Sequence, residues 1–400
     1  MKFRSLRLAG VLVALIFVSS HRSEIIAPLD QQVYVWQRQW NASHALALAQ
    51  SRGDFSTLRV LALQAFPGAG WSRARVDFAL LRGDGRPVIA VVRLDGQLKA
   101  LNQADITLQI QQLLSHWQGQ GVNLAGLEID HDAGSARLAN YRQFLQQLRS
   151  ALPATLKLSI TALPAWLDSP ELSPLLQTVD SSVLQVHAVS DPRHGLFDPQ
   201  QARRWAERWS RVTSKPYYLA LPSYGVALLP TPAGATVVVE SEVPIDRGGR
   251  RQELLADPQQ LAMLVGELRA DPPKHLAGLV WFRLPLPGDR RAWSMATLRT
   301  VASGEALAGQ LTLVLTHQDG LYDIAVSNPG NLDAAWPAHL VLTASKCETA
   351  DALAGYSVQK STDQMIFVRH IEGRLAAGDA RAVGWARCSH INQGASYVRP

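Results

Sequence analysis

The sequence predicts a (β/α)8 barrel of the TIM type, followed by a small C-terminal β-sandwich. Apolar strand-like segments recur eight times, helical segments lie between most of them, and after residue 304 the pattern changes to short alternating strands. The length of 400 residues also suits a barrel plus a smaller module. We therefore expect two domains, a barrel at residues 30–303 and a β-sandwich at residues 305–400.

The eight predicted strands are rich in Val, Leu, Ile and aromatic residues, a composition typical of parallel strands buried on both faces. They lie at residues 33–40, 58–66, 87–94, 124–132, 156–163, 182–189, 216–221 and 276–284. The segment 68–85 fits either a helix ending at Gly83 or a hairpin turning at Asp84-Gly85. A doubly wound open sheet is the alternative fold, but the sequence lacks the glycine-rich turn after the first strand that would favour it.

Several helices of the predicted barrel carry start signals. Asn41 precedes a helix at 42–51, and the pairs Asp198-Pro199 and Asp257-Pro258 precede helices at 200–210 and 259–268. The segment 135–152 places its apolar residues along one helical face. An insertion between Val226 and Glu253 is long enough to form a lid or hairpin at the C-terminal end of the barrel.

Residues 1–20 have the three zones of a secretory signal peptide: a basic start, an apolar run from Leu8 to Val18, and small residues at the end. The apolar run is shorter than the ~20 residues of a membrane span. We expect cleavage near Ser20 and a periplasmic or secreted protein, with an uncleaved anchor as the alternative. Without the leader the formal net charge falls from +6 to +3, which does not favour nucleic-acid binding.

The chain has two cysteines, Cys347 and Cys388, both in its last quarter. In an oxidising compartment they are expected to form one disulfide, and two buried free thiols are the alternative. Two cysteines without a nearby histidine pair do not provide the four ligands of a tetrahedral zinc site.

The segment 126–132 carries three acids, Glu128, Asp130 and Asp132, at alternate positions of the fourth predicted strand. Because residues two apart in a strand share a face, all three are expected to point into the barrel, with Asp132 at the C-terminal rim where barrel enzymes act. Crowded carboxylates cannot all ionise, so one should keep its proton near neutral pH and serve as a general acid. The structural alternative is that Glu128 and Asp130 hold neighbouring strands while Asp132 caps the next helix.

This run resembles the fourth-strand signature of family 18 glycoside hydrolases, the chitinase-like barrels, in which alternating acids end in a glutamate that protonates the leaving group. The resemblance implies that role for Asp132, which is one methylene shorter than glutamate, and it implies that the substrate's N-acetyl group is the nucleophile. More closely, the segments 35–40, 129–132, 158–164 and 280–285 together resemble a bacterial family described as domain of unknown function 3142. That second resemblance implies a barrel and assigns no activity.

Other residues at predicted strand ends complete a candidate sugar site. Trp36 and Trp281 end neighbouring strands and offer flat indoles on which a pyranose stacks, and Trp281 resembles the tryptophan at the floor of the chitinase-like site. Core packing is the alternative for each tryptophan. The remaining candidates are Arg93 and Arg283 as partners of the acids, Gln185 and His187 on the sixth strand, Ser159 and Thr161 as hydrogen-bond donors to the acids, and Tyr224 at the rim.

Together these residues predict a glycan-binding protein that hydrolyses polysaccharide or oligosaccharide with Asp132 as general acid and Asp130 orienting it. The alternative hypothesis is a non-catalytic envelope protein that kept the groove and lost turnover, which the aspartate in place of glutamate favours. No cofactor is expected. A metal site of His187 with Asp130 or Asp132 is disfavoured because the sequence shows no second clustered histidine. The sequence makes no prediction of the oligomeric state.

Overall fold

A computed structural model describes residues 28–98, 100–187, 195–230, 236–239 and 252–399. Eight parallel strands form a closed barrel, because the first strand pairs with both the second and the last. The predicted (β/α)8 fold is therefore confirmed, and the open doubly wound sheet is wrong. The predicted leader at residues 1–20 lies outside the described residues.

The barrel strands and the helices that cover them alternate along the chain. The strands are β1 (Asp30–Val35), β2 (Thr57–Phe66), β4 (Val88–Leu94), β5 (Leu124–His131), β6 (Lys157–Ala162), β7 (Ser181–Gln185), β8 (Tyr217–Pro222) and β12 (Leu276–Phe282). The helices are α1 (Ala42–Ser51), α2 (Phe78–Asp84), α3 (Gln103–Gly119), α4 (Leu138–Ala151), α5 (Leu172–Leu176), α6 (Pro199–Val212), α7 (Pro258–Ala270) and α8 (Met295–Ser303).

The predicted helix starts are confirmed. Asn41, Asp198 and Asp257 are the N-caps of α1, α6 and α7, and each side chain accepts a hydrogen bond from a backbone N–H of the first turn. Such a bond satisfies one of the backbone donors that every helix start leaves unpaired.

In the segment 68–85 the predicted helix is present as α2, which ends at Asp84, and the alternative hairpin turning at Asp84-Gly85 is wrong. Strand β3 (Gly70–Arg73) folds back antiparallel on β2, and the short helix α2 follows it. Gly85 then ends α2 in the left-handed conformation, with φ of 77°. Asp84-Gly85 is thus a helix end rather than a hairpin turn. The sequence allows either structure, because a glycine at positive φ is equally suited to both.

The insertion after β8 contributes a small antiparallel sheet at the C-terminal end of the barrel. Its strands are β9 (Gly225–Pro230), β10 (Thr236–Val239) and β11 (Gln252–Leu255), with β9 in the middle. The predicted hairpin is confirmed for these strands.

The chain ends in a small antiparallel β module, as predicted. A six-stranded sheet holds β13 (Thr312–Gln318), β14 (Leu321–Ser327), β16 (His339–Ala352), β17 (Tyr356–Lys360), β18 (Gln364–Arg369) and β20 (Ala380–Arg399), and β15 (Ala334–Ala335) pairs with β19 (Arg374–Leu375). The module has its own apolar core. The predicted Cys347–Cys388 disulfide is present and links β16 to β20.

Within the described part of the chain, no helix is long and apolar enough to cross a membrane.

Candidate functional site

The three acids of β5 form a column in the barrel interior. Glu128 and Asp130 are buried, whereas Asp132 lies just past the strand end with 39% of its side chain exposed. Leu127 and Ile129, which alternate with the acids along β5, pack in the core cluster outside the barrel wall. The alternation predicted from sequence is thus present, and it places the column along the barrel axis with only its uppermost carboxyl in contact with solvent.

Glu128, the lowest acid, is held by donors from three other strands. Tyr34 of β1 donates to Oε1 at 2.7 Å, Ser159 of β6 donates to Oε2 at 3.2 Å, and Arg59 of β2 makes an ion pair with Oε2. Burial raises the pKa of Glu128, and the Arg59 charge opposes that effect. This carboxyl is sealed among side chains that use both of its oxygens, so its contacts tie the barrel strands together.

Asp130, the middle acid, is also fully engaged. Thr161 of β6 donates to Oδ1 at 2.6 Å and Gln185 of β7 donates to Oδ1 at 3.4 Å, while Arg93 of β4 lies 3.2 Å from Oδ2. Ser159 and Thr161 therefore bond to the acids as predicted. The donors fix the orientation of Asp130 directly beneath Asp132.

Asp132 does not cap the helix that follows it, so the structural alternative considered for this acid is wrong. The helical turns that follow begin at Gly134 and Arg137 without a side-chain cap bond. Partial burial raises the pKa of Asp132 to about 6, the negative charge of Asp130 adds to the rise, and Arg93, 3.5 Å from Oδ2, opposes it. A solvent-accessible carboxyl of this pKa can both give and accept a proton near neutral pH.

Asp132 also receives a backbone contact from the neighbouring strand end. A Cβ built on Gly96 would lie 2.4 Å from the Asp132 carbonyl oxygen, closer than atoms can approach. Glycine at position 96 therefore allows the turn after β4 to pack directly on Asp132.

Five aromatic rings pack against one another in the barrel interior beside this column: Tyr34, Trp36, His187, Tyr224 and Phe282. Trp36 contacts Tyr34 at 5.6 Å and Phe282 at 5.1 Å between ring centroids, and the other contacts run through Phe282 to Tyr224 and His187. The Arg93 guanidinium lies 5.8 Å from the centre of the Trp36 ring. We call these five rings the aromatic wall.

Trp281 does not belong to this wall, and its predicted role as a sugar platform is wrong. In β12 it pairs in register with Val33 of β1, whose side chain packs outside the barrel, and residues in register share a face. Its indole is fully buried, donates to Gln31 Oε1 at 2.8 Å and packs against Trp293. The ring at the interior end of this strand is that of Phe282.

Arg283 is likewise not a ligand of the acids. Its guanidinium forms an ion pair with Asp289 at 2.7 Å in the loop after β12, and the side chain is buried. Of the two arginines considered, Arg93 reaches the acids because β4 and β5 are adjacent and pair Arg93 with Asp130 in register.

His187 lies in the aromatic wall, stacked on Phe282 at 5.5 Å. Partial burial lowers the pKa of His187 to about 4, so the ring is neutral at physiological pH. Among the described residues no three His, Cys, Asp or Glu side chains converge as a metal site would require. The predicted positions Gln185 and Tyr224 do reach the site, through Asp130 and the wall respectively.

Three residues of the site were not predicted: Tyr34, Arg59 and Phe282. Two of them left a signal in the sequence. Gln32, Tyr34 and Trp36 alternate along the first strand, and Arg59 is the single charged residue of the buried strand β2. A lone charge in a buried strand requires a buried partner, and Glu128 is that partner.

Comparison with solved structures identifies barrels of similar shape. The spore cortex-lytic enzyme SleL of Bacillus cereus is 13% identical, with a TM-score of 0.47 over 69% of this chain and 74% of that one. The spore cortex-lytic enzyme SleL of Bacillus megaterium is 13% identical, with a TM-score of 0.49 over 70% of this chain and 74% of that one. A chitinase from Bacteroides thetaiotaomicron is 11% identical, with a TM-score of 0.49 over 64% of this chain and 90% of that one. At these values the likenesses assign no activity.

No curated protein matches the sequence. In the C-terminal module, residues 311–389 match a family model described as Domain of unknown function (DUF8456). In the barrel, residues 84–287 match the model described as Domain of unknown function (DUF3142), and this match covers just over half of the chain. The protein therefore belongs to the DUF3142 family.

Proposed function

We propose that the protein binds a glycan at the C-terminal rim of the barrel and hydrolyses it, with Asp132 as the general acid. One observation carries the proposal: of three aligned acids, two are sealed by hydrogen bonds, and the third is exposed at the rim with its pKa raised to about 6. When neighbouring carboxyls lie in different environments, their pKa values differ, so one carboxyl can donate a proton while another keeps its negative charge.

The proposed reaction has two steps. Protonated Asp132 gives its proton to the glycosidic oxygen as that bond breaks, and the carbonyl oxygen of the substrate's own N-acetyl group attacks the anomeric carbon. Water then opens the cyclic intermediate and returns a proton to the Asp132 carboxylate. Asp130 supports this by its fixed negative charge, which favours the protonated form of Asp132 before the first step. The resemblance to family 18 glycoside hydrolases supports the choice of an N-acetylated sugar.

The test is release of reducing ends from oligosaccharides of N-acetylhexosamines by the purified protein. Asp132→Asn should abolish release and leave binding intact, because an amide keeps the size of the carboxyl and lacks the acidic proton. Asp323→Asn, an exposed acid of the C-terminal module, is the charge-matched control and should behave as wild type. Undiminished hydrolysis by Asp132→Asn would exclude this role.

The sugar-binding surface is tested by two tryptophans with opposite placements. Trp36 retains slight exposure next to Arg93 in the aromatic wall, whereas Trp281 is sealed outside the barrel. Trp36→Ala should weaken oligosaccharide binding at least tenfold, since stacking on an indole is lost. Trp281→Phe should lower thermal stability and leave the dissociation constant unchanged. Equal effects of the two substitutions on binding would contradict the proposed surface.

The second candidate function is glycan binding without turnover. The observation that favours it is the length of Asp132, which is one methylene shorter than the glutamate of the signature it resembles. Under this hypothesis wild type binds oligosaccharides with no reducing-end release, and Asp132→Glu restores cleavage by extending the carboxyl. Release by wild type decides for the enzyme.

We further propose that the protein is exported, to the periplasm or the medium. The signal-like sequence of residues 1–20 supports this, and so does the disulfide, which persists in oxidising compartments. Mass spectrometry of the protein purified from its native envelope fraction should give a mature N-terminus near position 21. An intact N-terminus on cytoplasmic protein would contradict export.

A further inference from the structure

The C-terminal β module contacts the barrel through the loop between β12 and α8, residues 283–294. Asp333 bridges the two parts: its Oδ2 accepts from the Ser294 N–H of the loop at 2.8 Å, and its Oδ1 accepts from the Ala377 N–H of the module at 3.0 Å. Arg374 of β19 donates to the carbonyl oxygens of Arg290 and Ala292 in the same loop, at 3.2 and 3.3 Å.

The other side of this loop is bonded to the end of β8. Ala292 pairs with Tyr224 in an antiparallel bridge. The Gly225 N–H donates to the Arg291 carbonyl at 2.6 Å, and the Trp293 N–H donates to the Ser223 carbonyl at 3.0 Å. The loop therefore acts as an additional strand between the module and the rim of the barrel.

The rim segment thus held is the one that carries part of the aromatic wall. The Tyr224 ring contacts Phe282 at 5.2 Å and His187 at 5.8 Å. Ser223 fixes the backbone on the other side, since its N–H donates to the Phe282 carbonyl at 2.7 Å and its hydroxyl donates to the Arg283 carbonyl at 2.9 Å. A continuous series of hydrogen bonds thereby links the side chains of Arg374 and Asp333 to the backbone at Tyr224 and Phe282.

We infer that the C-terminal module positions one side of the barrel site, with Asp333 and Arg374 as positioning residues for the aromatic wall. Neither side chain needs to touch a substrate for this. The module fixes the 290–294 segment, and that segment fixes the backbone of Tyr224. The consequence for glycan affinity rests on the proposed function, whereas the consequence for the backbone of the rim does not.

The experiment compares Arg374→Ala and Asp333→Ala with Arg387→Ala in the full-length protein. Arg387 is the matched control because it is an exposed arginine of the same module that donates to Asp319 within the module. Residue-resolved hydrogen exchange is followed at the amides of Gly225 and Trp293, which donate across the loop. We expect at least fivefold faster exchange of both amides in the Arg374 and Asp333 variants, partial recovery in Arg374→Lys, and wild-type exchange in Arg387→Ala.

The second measurement is the dissociation constant for an N-acetylhexosamine oligosaccharide together with the pH dependence of cleavage. We expect at least threefold weaker binding in Arg374→Ala with an unchanged pH midpoint, because Asp132 lies on a different strand end. Wild-type exchange at Gly225 and Trp293 in a folded Arg374→Ala protein overturns the inference. Failure of wild type to bind any glycan refutes the proposed function instead, while the exchange result still decides whether the module braces the rim.

Discussion

Replacement of Arg93 by methionine should raise the pKa of Asp132. The guanidinium lies 3.5 Å from the Asp132 carboxyl, and both side chains are more than a third exposed, at 34% and 39%. With the dielectric constant of bulk water, which gives the lower limit for a partly buried pair, two unit charges at this distance attract by about 1.2 kcal/mol. Since one pKa unit corresponds to about 1.36 kcal/mol, loss of the cation should raise the pKa of Asp132 by at least about 0.9, from about 6 to about 7 or higher.

The assay is a carbon-detected NMR titration of the Asp132 carboxyl at low ionic strength, which needs no substrate. Arg93→Lys is the control, because it keeps the charge and should leave the pKa near its wild-type value. In an active enzyme the alkaline limb of the rate profile should move up with the carboxyl, since the general acid keeps its proton to higher pH. An unchanged or lower pKa of Asp132 in Arg93→Met would refute the assignment of Arg93 as the opposing charge.

The remaining predictions concern stability. Asp132 has a folded pKa of about 6 against 3.8 in the unfolded chain, so its contribution to the free energy of unfolding is most favourable below pH 4 and is lost as pH rises through 6. The Asp132→Asn variant should therefore gain stability over wild type between pH 4 and pH 7 in urea denaturation. A stability difference between the two proteins that does not change with pH would argue against this. The substitution Arg59→Met leaves Glu128 buried without its cation and should lower the free energy of unfolding by about 3–5 kcal/mol. Adding Glu128→Gln should recover part of that loss. A loss of stability below about 1 kcal/mol in Arg59→Met would contradict the role of this pair. Replacing both cysteines, Cys347→Ser with Cys388→Ser, opens a loop with a sequence separation of 41 and should destabilise the C-terminal module by about 4 kcal/mol in calorimetry. Equal shifts of the melting temperatures of barrel and module would instead show that the two do not unfold separately.

Much of the fold was predictable because the barrel strands and helices are specified by local patterns. The apolar segments, the N-caps Asn41, Asp198 and Asp257, and the period-two alternation of acids on β5 each depend on a few consecutive residues. The segment 68–85 was ambiguous for the same reason, since a glycine at positive φ is equally suited to a turn and to a helix end.

The site was only partly predictable, because a strand pattern fixes which residues share a face and leaves open which face is inside. Trp281 and Phe282 are adjacent and both large and apolar, so either could have pointed inward by composition alone. The register of β12 against β1 decided between them. Arg93 and Arg283 both lie at strand ends, and only the adjacency of β4 to β5 brought Arg93 to the acids.

The sequence by itself determined the order of strands and helices, the pairing of its two cysteines and the alignment of Glu128, Asp130 and Asp132 on one face. These follow from chain connectivity and from the repeat of the extended backbone. Tertiary structure decided which of the aligned acids is sealed and which meets solvent, because burial and ion pairing depend on residues up to 94 positions away, such as Tyr34. The residues around each acid set its pKa, so the candidate proton donor among the three acids could be chosen only from the tertiary structure.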